Sequence, residues 1–320
     1  MTDPLSLLAL SPRLGPTLRR IVFIWLALLC LSASCQELAA EPTIVRYFSK
    51  GNTEGLRTYQ LELVKLLLEK TRATHGDYSL IIVDSDLSAA RAKAETEKGE
   101  LINTHYATEW SGEFVNAENV YVLPHSVLKG LLGMRSLIVR EDRLQDFEHI
   151  DQHNQLSLFK AGQRTDWPDV EILKYNKLPT LLTEQLTSLS PMLQAHRFDY
   201  LPLSILEAPA VTVPFNTGSN ALAISPSTAI FYPLAMHLCV SKTKPKIAER
   251  LGAGLTIASE DGSIDALFEK HFGFIAVLLA QRKLTTLILN NPLISPSENK
   301  RLIAEFINNY GPYTKTVYVE

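Results

Sequence analysis

A loop near the middle of the chain joins positively charged side chains to the start of a predicted helix. Lys160 is predicted to end a strand, and the helix is predicted to begin at Trp167 and Pro168. Free N–H groups and the positive end of a helix dipole attract a carboxylate or phosphate, and Lys160 and Arg164 add charge-assisted donors. The pattern indicates anion recognition, and the alternative is that both basic side chains are solvated. Trp167 could stack on the ligand, but packing beneath the start of the helix is the favoured alternative. The other loop residues assigned to this site are Gln163 and Thr165.

Side chains that could perform catalysis or bind a metal occur only in weak patterns. Glu148, His149 and His153 have a metal-like spacing, but two histidines without a third ligand favour solvated side chains. Asp84 and Asp86 follow a predicted strand and precede a helix, where N-capping is the alternative to a carboxylate pair. The sequence has no HExxH, GxSxG, P-loop or GxGxxG motif. We therefore expect no catalytic residue, no metal and no cofactor.

Length and composition limit the class of protein. The chain has 320 residues, of which 46% are hydrophobic and 20% charged, so it can bury the cores of about two domains. With 31 basic and 34 acidic residues, it lacks the basic surplus of a nucleic-acid-binding protein. Three cysteines, at positions 30, 35 and 239, provide neither a disulfide framework nor a CxxC pair, and Cys239 is predicted to be a small buried hydrophobe.

The first forty residues have the pattern of a secretory signal. Arg19 and Arg20 precede an apolar run at 21–31, which as a helix reaches only ~16 Å and is too short to span a membrane. Small residues then follow at 32–34. We expect residues 1–40 to direct export to the periplasm. Lipid anchoring through Cys35 is the alternative to a soluble mature protein.

The rest of the chain alternates between strand and helix patterns. This order predicts an α/β fold in which mostly parallel sheets are flanked by helices. An irregular stretch and a β-rich run at 136–140 precede a second series of alternating elements. Strands are predicted at residues 43–48, 78–83, 101–104, 156–160, 179–182 and 198–203.

Five segments carry a resemblance to a known family. They are KGLLGMRSLIVR (129–140), FKAGQRTDWPDVEIL (159–173), AHRFDYLPLSILEA (195–208), DGSIDALFEKHFG (261–273) and LNNPLIS (289–295). In their order and spacing they resemble type II periplasmic solute-binding proteins, specifically a divergent member of the bacterial extracellular solute-binding family 3, which is amino-acid-binding-like.

The resemblance implies a two-lobed architecture that closes around a hinge. Residues 41–136 with 236–290 would form the first lobe, and residues 137–235 the second. Two β-type hinge segments, near 136–140 and 229–240, would join the lobes. Residues 291–320 would be a C-terminal extension that packs on the first lobe.

The resemblance also implies ligand contacts, with departures from the family pattern. Thr108 and Trp110 occupy the region after the third strand, but the arginine that usually clamps the ligand carboxylate there is absent. Arg135 could replace it or have a structural role. Tyr200 is assigned to the ligand site, but the strand after it lacks the usual aspartate, for which Glu207 is the candidate replacement. The resemblance also makes Tyr47, at the end of the first strand, an aromatic wall residue.

These expectations define a function and its alternatives. The chain would close over a small polar or anionic, amino-acid-like solute and deliver it to a membrane transporter permease. A ligand-sensing or scaffolding module of a membrane signalling protein is the alternative, followed by a periplasmic enzyme on the same fold. We expect a monomer that does not bind nucleic acid.

Overall fold

Two separate β-sheets form the framework of the computed structural model. The structure describes residues 41–49, 53–85, 87, 89–108, 118–282 and 284–319. The strands of these residues are, in chain order, β1 (Thr43–Phe48), β2 (Tyr78–Val83), β3 (Thr104–Thr108), β4 (Val120–Val122), β5 (Met134–Arg140), β6 (Ala161–Arg164), β7 (Thr180–Thr183), β8 (Tyr200–Ser204), β9 (Leu222–Phe231), β10 (Met236–Ser241), β11 (Leu284–Ile288) and β12 (Thr314–Tyr318).

Helices cover both sheets and connect their strands. In chain order they are α1 (Glu54–Lys70), α2 (Arg72–His75), α3 (Ala89–Lys98), α4 (Leu144–Phe147), α5 (His153–Leu156), α6 (Asp169–Tyr175), α7 (Leu186–Gln194), α8 (Ala208–Thr212), α9 (Pro245–Glu260), α10 (Ser263–Phe272), α11 (Phe274–Gln281) and α12 (Pro296–Tyr310). Short 3-10 turns occur at Glu141–Arg143, Val213–Phe215 and Gly311–Tyr313. None of the helices in the described ranges combines the length and apolar character needed to cross a bilayer.

The strand order separates the two sheets along the chain. The first sheet has the order β2-β1-β3-β10-β4, in which β1 is parallel to β2 and β3 while β10 is antiparallel to its neighbours. The second has the order β12-β11-β9-β5-β8-β6-β7, and only β5 runs antiparallel to its neighbours. The prediction of mostly parallel sheets flanked by helices is confirmed.

Two short segments carry the chain between the sheets. Residues 123–133 form the first crossing segment, between β4 and β5, and residues 232–235 form the second, between β9 and β10. The two segments touch, since the Tyr232 N–H donates to the Gly133 carbonyl over 3.2 Å. A Cβ atom added to Gly133 would lie 2.0 Å from the Tyr232 carbonyl oxygen. Glycine is therefore required where the two connections pass each other.

The C-terminal region corrects the predicted architecture. Strands β11 and β12 extend the second sheet, because β11 pairs with β9 along Thr285–Ile288 and β12 pairs with β11. The Phe306 ring of α12 stacks on Phe231 of β9, with 3.8 Å between ring centroids. The expectation that residues 291–320 pack on the first lobe is wrong. The chain therefore passes between the sheets a third time, through α9, α10 and α11, in addition to the two connections expected.

Three predicted strands are displaced in the structure. The third strand, expected at 101–104, occupies Thr104–Thr108, and the strand expected at 198–203 is Tyr200–Ser204. The strand predicted at 156–160 is wrong: helix α5 ends at Leu156, and the strand begins only at Ala161. Pairing of Ala161 with both Thr180 and Tyr200 fixes this strand, and these long-range partners are not visible in a local pattern. The predicted export signal and Cys35 lie outside the described residues.

Helix α1 shows how a local pattern and a distant residue combine. Its apolar residues at helical spacing are buried, and the Thr53 hydroxyl caps its first turn by accepting from the Leu56 N–H. At its other end, the buried Arg250 of α9 donates to Thr71 Oγ1 over 3.1 Å and to the carbonyls of Leu68 and Gly76. One guanidinium thus satisfies groups that the end of a helix leaves unpaired.

Replacing Arg250 tests this role. Arg250→Met is expected to lower the free energy of unfolding by roughly 3 kcal/mol, because the carbonyls of Leu68 and Gly76 and the Thr71 hydroxyl lose their donor. Urea denaturation monitored by circular dichroism measures the change. Lys246→Met, on the exposed face of the same helix, is the control and should change stability little. Equal stability of the two variants would contradict the role of Arg250.

A second test uses the dependence of stability on pH. Burial lowers the pKa of His105 in β3 to about 4. The folded state therefore holds neutral His105, and this contribution is complete above pH ~6.5 and is lost as pH falls towards 4. Between these values the wild type should lose up to roughly 3 kcal/mol more stability than His105→Gln. His149→Gln, at an exposed position, should keep the wild-type pH profile in the same denaturation series.

Candidate functional site

The strands of both sheets end at the edges that the crossing segments join. In the second sheet Arg135 pairs with Ser204, so β5 begins where β8 ends. In the first sheet Met236 pairs with Thr108, so β10 begins where β3 ends. Because the second crossing segment has only four residues, Phe231 and Met236 lie within about 17 Å of each other. The carboxyl ends of strands from both sheets therefore approach one region. We call this region, which includes Thr108, Ser204, Phe231 and Met236, the crossing edge. Ligands of α/β folds bind beyond the carboxyl ends of strands.

A buried charged network lies on the second-sheet side of the crossing edge. Arg135 Nε donates to the Tyr232 hydroxyl over 2.8 Å, and its Nη2 lies 2.8 Å from Asp169 Oδ1. The Tyr232 hydroxyl donates to the same carboxylate oxygen. All three side chains are almost completely buried. The network joins the start of β5, the second crossing segment and the first turn of α6.

The charges of this network balance each other. Burial opposes the charge on Arg135, but Asp169 and then Tyr232 raise its pKa above the usual value, so the guanidinium stays protonated. Burial raises the pKa of Tyr232 well above its usual value and keeps the phenol neutral. Glu207, also buried, contributes a further raising effect on Arg135. Arg135 is therefore already paired inside the protein, which gives it the structural role left open by the sequence; a direct ligand contact stays a prediction.

The predicted anion loop is not assembled as expected. Lys160 precedes β6 and Arg164 ends it, so the two basic residues lie about 13 Å apart along the strand. Lys160 is exposed, whereas Arg164 forms a two-point ion pair with Asp166 and lies 5.9 Å from the Trp167 ring. The prediction that Lys160 and Arg164 converge on one anion is wrong, because Lys160 lies at the amino end of a strand whose carboxyl end carries Arg164.

Helix α6 adds an electrostatic reason against an anion at this loop. The helix has seven residues, and its first turn contains Asp169 and Glu171. These carboxylates already occupy the positive end of the helix dipole. Thr165 is exposed, and its N–H donates to the Thr183 carbonyl over 3.0 Å. Trp167 packs against the apolar cluster beneath α7, which was the packing alternative for this residue.

Neutral polar atoms are buried on the first-sheet side of the crossing edge. The hydroxyls of Tyr47 and Tyr106 and the Gln60 Oε1 atom are buried without a hydrogen-bond partner. The rings of Tyr47 and Tyr106 meet edge to face, 6.0 Å between centroids. Gln60 Nε2 lies 2.9 Å from the sulfur of Met236, the first residue of β10. We call Tyr47, Gln60 and Tyr106 the tyrosine–glutamine cluster.

The cluster is positioned by the elements that meet at the crossing edge. Tyr47 is the second-last residue of β1, and Tyr106 lies in β3 opposite Leu238 of β10. The neighbouring Tyr59 of α1 donates its hydroxyl to the Val127 carbonyl of the first crossing segment over 2.7 Å. Burial raises the pKa of Tyr47, and burial together with Tyr47 raises that of Tyr106. Both hydroxyls therefore stay protonated and can donate as well as accept.

The remaining predicted site residues are scattered. Thr108 is half-buried at the end of β3, beside Met236. Gln163 is buried in β6, where its Nε2 donates to the Pro202 carbonyl and its Oε1 has no partner. Tyr200 begins β8, so its buried, unpartnered hydroxyl is at the far end of the strand from the crossing edge. Trp110 lies outside the described residues.

Four of the six residues that form these two groups were not predicted from the sequence. Tyr232 and Asp169 pair with Arg135, Tyr106 contacts Tyr47, and Gln60 has a buried oxygen without a partner, yet none of these four was proposed as a site residue. Placing the third strand too early assigned Tyr106 to a loop. Asp169 could have been found from the sequence, because it directly follows Pro168 at the start of a predicted helix.

Among the described residues, no group of three or more His, Cys, Asp or Glu side chains could hold a metal ion, and Cys239 is buried.

Comparison with known proteins identifies the fold. No protein-family model matches the chain, and no curated protein matches its sequence. The periplasmic VFT2 domain of Bordetella pertussis BvgS has a TM-score of 0.53 at 15% identity, over 74% of this chain and 97% of that one. An ancestral arginine-binding protein bound to arginine gives 0.51 at 13% identity, over 72% and 98% of the two chains. A structure from a study of glutathione import through GshT and the cystine ABC importer TcyBC of Streptococcus mutans gives 0.53 at 13%, over 72% and 95%.

These similarities agree with the arrangement of the sheets. The chain has the two-lobed α/β fold of type II periplasmic binding proteins, as the sequence predicted. Identities of 13–15% establish the fold and do not transfer a ligand.

The buried network makes a stability prediction. Asp169→Ala leaves Arg135 buried without its carboxylate and is expected to cost about 3–5 kcal/mol of unfolding free energy. The double variant Arg135→Met/Asp169→Ala should recover much of this loss, because it removes both charges. Asp166→Ala, at the partly exposed pair with Arg164, is the control and should cost no more than about 1 kcal/mol. A double variant less stable than Asp169→Ala would contradict the pairing.

Proposed function

We propose that this chain is an exported solute-binding protein that closes over a small polar molecule at the crossing edge. The observation that supports this proposal is the tyrosine–glutamine cluster, which offers two hydroxyls and an amide oxygen without internal partners. Buried polar groups are nearly always hydrogen-bonded. Three such atoms beside the carboxyl ends of β1 and β3 are therefore suited to the polar groups of a bound solute.

The electrostatics of the crossing edge favour a polar solute over an anionic one. Arg135 is balanced by Asp169, and Arg164 is paired with Asp166. The tyrosine–glutamine cluster contributes only neutral donors and acceptors. An amino-acid-like solute remains compatible with this chemistry if hydroxyls and backbone groups, rather than a free guanidinium, hold its carboxylate.

Delivery of the solute to a membrane transporter is the proposed biological role. The resemblance to family 3 proteins and the structural similarity to an arginine-binding protein support it. A sensing or scaffolding module of a membrane signalling protein is the second candidate, because BvgS VFT2 is a periplasmic domain of comparable similarity and both arginines are paired internally. Affinity capture from envelope extracts separates the two, since a permease supports transport and a membrane kinase or cyclase supports signalling.

Solute binding is tested by thermal-shift screening of the purified protein against polar metabolites, followed by calorimetry. A one-site ligand at a hundred times its Kd should add about 2.7 kcal/mol of stability. Tyr47→Phe and Tyr106→Phe should each weaken binding by roughly tenfold, the worth of one hydrogen bond, while leaving the unliganded protein folded.

Tyr200→Phe provides a matched control for these variants. Its hydroxyl is equally buried and equally without a partner, but it lies at the far end of β8. Its removal should leave affinity unchanged. If no metabolite stabilises the protein, the proposed function fails; if a ligand is found and Tyr200→Phe weakens it as much as Tyr47→Phe does, the site assignment fails.

A further inference from the structure

The outer strand of the first sheet has an edge that no other strand of the described residues covers. Strand β2 is the terminal strand in the order β2-β1-β3-β10-β4, and its sequence YSLIIV has six residues without charge or proline. Ile81 and Ile82 are substantially exposed, as is Ile44 on the neighbouring β1. Proteins normally protect such edges with charged residues, proline, bulges or very short strands.

The other edges in the described ranges carry these protections. Strand β4 has three residues, and β7 has four and follows Pro179. Strand β12 contains Lys315. Strand β2 is the exception, and apolar residues lie on both of its faces.

The hydrogen bonds to β1 establish which backbone groups of β2 point outward. The Thr43 N–H donates to the Asp77 carbonyl, and the Ser49 N–H donates to the Val83 carbonyl. Odd-numbered residues of β2 therefore direct their N–H and C=O groups towards β1, and even-numbered residues direct theirs away from it. The outward set is Tyr78, Leu80 and Ile82.

We propose that this edge pairs with the same edge of a second copy, so that two first sheets join through antiparallel β2 strands into one continuous sheet. With Leu80 on the two-fold axis, Leu80 faces Leu80 of the second copy and Tyr78 faces Ile82. Every outward N–H and C=O group then meets a partner in a single register. This pairing also sets an aromatic side chain against a β-branched one, a favourable cross-strand pair.

The groove beside β2 supports the choice of a second copy. A cavity of about 890 Å³ runs between β2, α1 and α10, with apolar residues at its base and charged residues at its rim. At the Tyr78 end lie Glu69 and Arg72, 3.1 Å apart. Further along α1, Glu62 pairs with Lys270 over 2.7 Å. Each end of the groove therefore carries both signs of charge.

The two-fold axis makes these charges complementary. It brings the Tyr78 end of one copy to the Ile82 end of the other, so that the Glu69–Arg72 pair approaches the Glu62–Lys270 pair of the second copy. An acid and a base at each end allow opposite charges to meet across the interface. A monomer was expected from the sequence, whereas the proposed pairing makes the assembled protein a dimer.

The oligomeric state of the purified chain tests this proposal. Sedimentation equilibrium over a concentration series should detect a monomer–dimer equilibrium. Ile82→Lys should abolish the dimer, because it places a charge in the paired edge. Leu182→Lys is the matched control: Leu182 is 44% exposed on the edge strand β7 of the other sheet, against 45% for Ile82, and its replacement should leave the dimer unchanged.

A cysteine pair tests the register independently of stability. In the proposed pairing Ser79 faces Ile81 of the second copy at a non-hydrogen-bonded position, where Cα atoms lie about 4.5 Å apart and a disulfide can form. The double variant Ser79→Cys/Ile81→Cys should give a covalent dimer under mild oxidation, and neither single variant should. A protein that is monomeric at all concentrations, or a dimer that is insensitive to Ile82→Lys, would overturn the proposal.

Discussion

The pairing of Arg135 with Asp169 and Tyr232 is the constraint on which the rest of the structure depends. A guanidinium in this buried position is tolerated only if it is paired and hydrogen-bonded. Its partners come from the first turn of α6 and from the second crossing segment. This network thus holds together the start of β5, the start of α6 and the second crossing segment. Beside it, the close approach of Gly133 to Tyr232 fixes how the two crossing segments pass.

This constraint also shapes the chemistry of the candidate site. Arg135 is balanced within the protein, and the buried atoms without partners on the first-sheet side of the crossing edge are hydroxyl and amide oxygens. Neutral donors and acceptors select for the shape and hydrogen-bonding pattern of a solute more than for its charge. The ligand class proposed here follows from that difference.

The C-terminal strands add a further restraint on the crossing segments. Asn291, just after β11, donates to the carbonyl of Pro233 in the second crossing segment over 2.8 Å. Asn299 of α12 holds Asn291 by accepting from its N–H and donating to its carbonyl. The segment between β11 and α12 therefore fastens the second crossing segment to the second sheet.

The sequence by itself determined the α/β class, the positions of β1, β2 and α1, and the family-like order of motifs, because these depend on local periodicity and on residues close in the chain. It also marked Tyr47 and Arg135 as important. Only the tertiary structure decided what they do: the partner of Arg135 is 34 positions away, and that of Tyr47 is in a strand whose start the local pattern misplaced. It likewise separated Lys160 from Arg164 and moved residues 291–320 to the second sheet. Strand pairing and buried-charge pairing join distant segments, and a local pattern carries no information about which segments will meet.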